Sequence, residues 1–111
     1  MKAIVLNSFG GVENLHLGEW PIAEPRAGEV RIRILAVAFN PADYKLRKGI
    51  RGLEVPTVLG FDLAGIIDAM GPGVKDLSVG DEVFGYLGGP KSNGSYAEFT
   101  GAIAVPAAKV R

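Results

Sequence analysis

Sixteen glycines and seven prolines, spread over 111 residues, cut the apolar content of this chain into short runs rich in Val, Ile, Leu and Phe. Short apolar runs bounded by turn formers read as strands, so the pattern predicts a mainly β barrel or sandwich in which helix is the minor element. One core typically serves roughly 100–200 residues, so a single compact domain over residues 1–111 is expected.

The runs can be placed in order. Lys2 to Asn7 and Leu15 to Trp20 flank Gly10-Gly11 and predict a hairpin or close strand pair. From Glu29 to Asn40 the chain alternates: Val30, Ile32, Ile34, Ala36 and Ala38 take one face, and Arg31, Arg33, Leu35, Val37 and Phe39 the other. The second face changes from charged to apolar midway, which predicts a strand running from a half-exposed rim into a region buried on both faces. Val58 to Met70 reads as one strand, with Gly60 and Gly65 marking close approach of backbone or ligand. Asp81 to Tyr86 and Ser95 to Thr100 read as further strands, the last continuing through Ile103-Ala104-Val105. Gly88 to Gly94 reads as the most mobile loop.

Composition narrows the function classes. Twelve Lys plus Arg balance twelve Asp plus Glu, so no net field draws the chain to nucleic acid or to an anionic membrane. Cysteine is absent and histidine occurs once, which removes disulfides, thiolate nucleophiles, Cys-based zinc sites and multi-histidine metal sites. No stretch approaches the roughly 20 apolar residues of a membrane-spanning helix, and a soluble, cytoplasmic location is expected. No G-x-G-x-x-G spacing follows a strand, so the glycine pairs read as turns rather than as a phosphate cradle.

Three places carry polar groups that call for explanation. His16 is alone on a short strand and reads as a strand-face or surface residue. Asp62, between Phe61 and Leu63, must be hydrogen-bonded, paired or turned to a cleft if its strand is buried; otherwise it faces outward. The segment Asn40 to Arg47 follows the long strand, with Asn40 as helix N-cap, Pro41 at the first helical position and Asp43 in the first turn. A short helix to about Lys48, stopped by Gly49, is expected. Asn40 and Tyr44 are spaced to share a face, as are Asp43 and Arg47, and the second pair reads equally well as an ordinary surface ion pair.

Across the whole chain these motifs resemble the medium-chain dehydrogenase/reductase superfamily. The resemblance rests on Met1-Lys2-Ala3, Pro25 to Arg33, Asn40 to Gly49, Val58 to Gly65, Val79 to Gly85 and Gly94 to Phe99, in that order. It implies a GroES-like, partly open β-barrel with one or two short helices. Zinc alcohol dehydrogenases of that superfamily place a zinc-binding Cys near the position of Asn40 and a Gly-His-Glu where this chain has Gly60-Phe61-Asp62; they often carry a four-cysteine loop where this chain has Gly88 to Gly94. The departures are similar to the zinc-independent quinone oxidoreductase branch, which uses NADPH to reduce quinones, enones or related activated carbonyl compounds.

That branch implies roles residue by residue. Asn40 and Tyr44 fall to catalysis, Phe61 and Asp62 to the substrate side, Asn40 and Lys45 to the cofactor, and no residue to a metal. Many quinone reductases place their tyrosine one position later, where this chain has Lys45. Hydride delivery to a conjugated acceptor needs stabilisation of charge on a distant carbonyl oxygen, and neutral hydrogen-bond donors supply it without a metal. The resemblance further implies a Rossmann cofactor domain that is absent here, inactivity of this fragment alone, and dimerisation only in the full-length protein. Its partners would be a small quinone or enone and the missing domain. Two other readings stand beside it: a free-standing GroES-like binding or assembly module, and a scaffold that has lost activity.

Overall fold

Residues 1–49, 53–87, 94–100, 103–104 and 107–109 are described in the computed structural model. Strand β1 (Lys2–Leu6) pairs antiparallel with β2 (Leu15–Glu19), with Lys2 opposite Glu19 and Leu6 opposite Leu15. This is the close pair expected from the sequence, joined through a 3₁₀ turn at Val12–Asn14. His16 lies exposed on β2, which is the edge of its sheet.

After β3 (Glu29–Val37) comes the one α-helix among the described residues, α1 (Pro41–Lys48). The short β4 (Thr57–Val58) pairs with the other side of β1, giving a three-stranded sheet in the order β2-β1-β4. The second sheet takes β3, β5 (Asp62–Met70), β6 (Glu82–Tyr86), β7 (Ile103–Ala104) and β8 (Ala107–Lys109) in the order β7-β3-β5-β6-β8, with every pairing antiparallel.

Residues 94–100 tie the two sheets together. Ile4 N–H donates to the Tyr96 carbonyl at 2.8 Å and Glu98 N–H to that of Lys2 at 3.1 Å, both on β1. Farther along, Ile34 N–H donates to the Glu98 carbonyl at 2.8 Å and Thr100 N–H to that of Ile32 at 2.9 Å, both on β3. One extended segment thus serves both edges and partly closes the barrel, which is the GroES-like architecture expected. The segment pairs only through single bridges, Ala3 with Ala97 and Arg33 with Phe99, rather than as the continuous strand expected to reach Val105, a residue outside those described.

Three apolar clusters hold this frame. Val30, Ile32, Leu63, Ile67 and Val83 fill the second sheet's inner face. Leu6, Leu46, Leu53, Leu59 and Phe61 pack beneath α1, while Ala3, Val5 and Val58 lie under the first sheet. Each fully buried Val, Leu, Ile or Phe stabilises the fold by about 1.5–3 kcal/mol.

Two expectations are corrected. Val58 to Met70 is not one strand: the chain leaves β4 at Leu59 and turns at Gly60, whose φ is 109°, before entering β5. A Cβ on Gly60 would stand 2.3 Å from Ser95 Oγ and 2.8 Å from Ser95 N, so glycine is required where residues 94–100 cross. Gly65 likewise faces the Arg33 carbonyl oxygen, 2.1 Å from where its Cβ would be. The second correction concerns β3. Its C-terminal half is open to solvent, with Leu35 61% and Val37 44% exposed, and Phe39, just past its end, is 67% exposed. The register shifts between Ile34 and Ala36, and Ala36 and Val37 still pair with Ala64 and Leu63, but among the described residues β7 reaches only Glu29 and Val30, so the side chains at the strand's end are left uncovered.

Candidate functional site

At that open end the chain turns into α1 by local chemistry. Asn40 is extended at φ −125°, ψ 156°, the conformation favoured before proline, and Pro41 opens the helix where its missing N–H costs nothing. Asp43 Oδ2 accepts from the Asn40 backbone N–H at 2.9 Å, which satisfies a donor at the helix start. Gly49, at φ 106°, ends the helix and donates its N–H to the Leu46 carbonyl at 2.9 Å. The helix limits match those expected.

The side chain of Asn40 reaches across to the second sheet. Its amide nitrogen donates to Asp62 Oδ2 at 2.8 Å. Asp62, the first residue of β5, answers the question its apolar surroundings raised: it is half-buried and hydrogen-bonded. On β6 its register partner is Tyr86, an exposed residue whose ring stacks on buried Phe61 with centroids 5.7 Å apart and planes 17° apart. Phe61 is therefore a floor beneath an exposed ring.

Asp43 behaves differently from the surface pair weighed above. It is 1% exposed, shares the buried face of α1 with Leu46, and accepts the Tyr96 hydroxyl at 2.8 Å on the same Oδ2 that serves Asn40. Arg47 instead donates from Nε to the Gly10 carbonyl at 3.0 Å. Burial first, then the bond to the Asp43 carboxylate and the nearby charges of Asp43 and Asp62, push the Tyr96 phenol well above its usual range and keep it neutral. Asp43 Oδ1 and Ser95 Oγ are buried with no hydrogen-bond partner among the described residues.

The remaining candidates sit on the outer side of α1. The Tyr44 ring lies 6.5 Å from that of Phe39 at 27°, and Lys48 Nζ is 5.6 Å from its centroid. Lys45 is exposed on the helix. Asn40, Phe61 and Asp62 thus come together, while Tyr44 and Lys45 flank them from the helix. Two aromatic groups were not singled out from the sequence. Tyr96 lies in a recognisable motif, but its partner is 53 residues away; Tyr86 becomes visible only through the β5–β6 register. Beside Tyr96, an open apolar groove of about 330 Å³ runs along Ile4, Ile34, Leu35, Val37 and Ala97. Chemically the site offers neutral donors held by carboxylates and exposed rings suited to a planar ligand.

Comparison with known proteins fixes the family. The chain belongs to the alcohol dehydrogenase GroES-like domain family of the medium-chain dehydrogenase/reductases, whose profile matches residues 26–110. An NADPH-dependent alkenal/one oxidoreductase, chloroplastic, from Arabidopsis thaliana is 41% identical over 109 residues, spanning 90% of this chain and 28% of that protein. Among solved structures, the human synaptic vesicle membrane protein VAT-1 homolog-like protein matches with a TM-score of 0.91 at 32% identity, covering 100% of this chain and 35% of that one. The quinone oxidoreductase from Coxiella burnetii matches with a TM-score of 0.84, also at 32% identity, over 99% of this chain and 35% of its own. The chain therefore spans about a third or less of the proteins it matches.

Proposed function

We propose that this chain is the N-terminal, substrate-side domain of a zinc-independent, NADPH-dependent reductase of quinones or enones, and that it needs a cofactor domain outside this chain for turnover. The observation that carries the reading is the bond from Asn40 to Asp62. The position that the resemblance equates with a zinc-binding Cys holds an amide, Asn40, and it is satisfied by the carboxylate of Asp62, which stands where the zinc enzymes have the Glu of Gly-His-Glu. An amide nitrogen bears two hydrogens; one serves Asp62 and the second is left for a ligand.

NADPH, when bound, supplies a hydride to the conjugated carbon of the acceptor, and a solvent proton completes the two-electron reduction. Asn40 donates to the acceptor oxygen as negative charge develops there. Phe39, Tyr44 and Tyr86 offer exposed faces against which flat rings pack, so the residues present suit a nicotinamide and a planar acceptor. Lys45 is the cation of this chain nearest in sequence to Asn40 and is assigned to the cofactor side.

The test uses the protein that contains this chain. NADPH consumption is followed by absorbance with a benzoquinone and with an α,β-unsaturated ketone. Turnover is expected, and Asn40→Ala should lower kcat by about 10²–10³-fold, the usual effect of removing one oxyanion donor. No turnover with any quinone or enone overturns the reading.

A further inference from the structure

Three observations converge behind Asn40. The Asp43 carboxylate is almost wholly buried, and its Oδ2 is shared between the Asn40 backbone N–H at 2.9 Å and the Tyr96 hydroxyl at 2.8 Å. Tyr96 is itself fixed by main-chain bonds to both neighbours: its N–H donates to the Leu59 carbonyl at 3.0 Å, and its carbonyl accepts from Ile4 N–H at 2.8 Å. The Asn40 side chain then spans from this anchored backbone to Asp62.

We propose that Asp43 and Tyr96 are positioning residues for Asn40: the phenol holds the carboxylate, the carboxylate holds the Asn40 backbone, and the side-chain amide is thereby aimed. The proposal rests on the reading of Asn40 as the acceptor-facing donor and extends it to two residues that act through Asn40. An extended backbone before Pro41 fixes the direction of the Asn40 Cα–Cβ bond, so only the side-chain torsions remain to be set for the amide to reach Asp62. Removing the phenol leaves a buried carboxylate whose Oδ1 already lacks a partner among the described residues. Such a group draws in water or shifts, and the N-cap moves with it. Burial and the Asp43 carboxylate keep the phenol protonated, so it remains a donor throughout the neutral range.

The test is a double-mutant cycle in the full-length protein, joining Tyr96→Phe with Asn40→Ala. A positioning role predicts that Tyr96→Phe lowers kcat/KM for the quinone by about tenfold or more when Asn40 is present, since small misplacements cost up to about 10²-fold. It should change little when Asn40 is already alanine, and NADPH affinity, read by fluorescence titration, should not be altered by Tyr96→Phe in either background. Equal losses in both backgrounds, or none in either, overturn the proposal. Should Tyr96→Phe fail to fold, Asp43→Asn enters the same cycle with the same two outcomes. If the unsubstituted protein reduces no quinone or enone, the functional reading has failed, and a crystal structure of the Tyr96→Phe protein then decides this proposal alone. A displaced Asn40 amide, no longer bonded to Asp62, supports it; an unmoved one overturns it.

Discussion

Gly60→Ala tests the corner on which the site is built. Gly60 has φ of 109°, and an added Cβ would meet Ser95 Oγ at 2.3 Å, Ser95 N at 2.8 Å and Tyr96 N at 3.0 Å. Three costs therefore combine. A left-handed backbone costs an alanine about 1–2 kcal/mol. The contact with main-chain nitrogen cannot be relieved by a rotamer change, and overpacking of this kind costs about 1–3 kcal/mol. Displacing Ser95 and Tyr96 also weakens their N–H bonds to the Gly60 and Leu59 carbonyls, at 3.3 and 3.0 Å, by about 1 kcal/mol together. The expected total is about 3–6 kcal/mol. Gly73→Ala supplies the control, because Gly73 has φ of 83° but nothing within 4 Å of its Cβ position, so only the first cost remains, about 1–2 kcal/mol. Gly65→Ala isolates the second, since its strand backbone suits alanine but its Cβ would stand 2.1 Å from the Arg33 carbonyl. Urea midpoints of the same polypeptide carrying each change give the three values, provided the slope is unchanged. If Gly60→Ala lowers the midpoint no more than Gly73→Ala, the close crossing of residues 94–100 does not exist.

Two further outcomes follow from single bonds. Thr100 is fully buried and its Oγ1 accepts from Ile32 N–H at 2.9 Å, so Thr100→Val strands a buried donor and should cost about 1–3 kcal/mol, whereas Thr100→Ser keeps the oxygen and should cost about 0.8 kcal/mol for the lost methyl; amide exchange at Ile32 distinguishes them. The folded state raises the Tyr96 pKa above the ordinary phenol value near 10.0, so the unfolded chain loses that proton first. The stability Tyr96 contributes is then complete below pH 10.0 and falls as pH climbs beyond it, and an alkaline unfolding series should show a shallower decline in Tyr96→Phe.

How much of this was legible in the sequence depended on the range of the signal. Helix α1 was readable to the residue because Asn40, Pro41, Asp43 and Gly49 act within one short segment. Asp62 was readable as a polar group needing a partner, but the partner lies 22 residues away and comes from another element. Local spacing offered Arg47 to Asp43; the fold prefers Tyr96, because Asp43 faces inward with Leu46 while Arg47 turns to Gly10. For β3, alternation correctly separated two faces, yet burial is set by neighbouring strands. A register break and a two-residue partner strand are invisible in a repeating apolar pattern.

The failed expectation about β3 bears directly on the proposed site. Had the strand ended with both faces packed, Phe39 and Asn40 would lie inside the core and meet no ligand. Instead the side chains at the end of β3, Leu35 and Val37, are exposed, and so are Phe39 and Tyr44 beyond it. The structure behind them is closed: Leu46 packs into the cluster with Phe61, and Asp43 is bonded to Tyr96. A donor at such a junction is accessible yet held from the rear, the combination that preorganised electrostatic stabilisation requires. The two carboxylates flanking Asn40 sharpen the requirement. Among the described residues each is bonded to a neutral donor rather than to a cation: Asp43 to the phenol and the N-cap N–H, Asp62 to the amide. An arginine at either place would compensate the charge more strongly but would compete for the same oxygens, and Asn40 would lose the contacts that direct it.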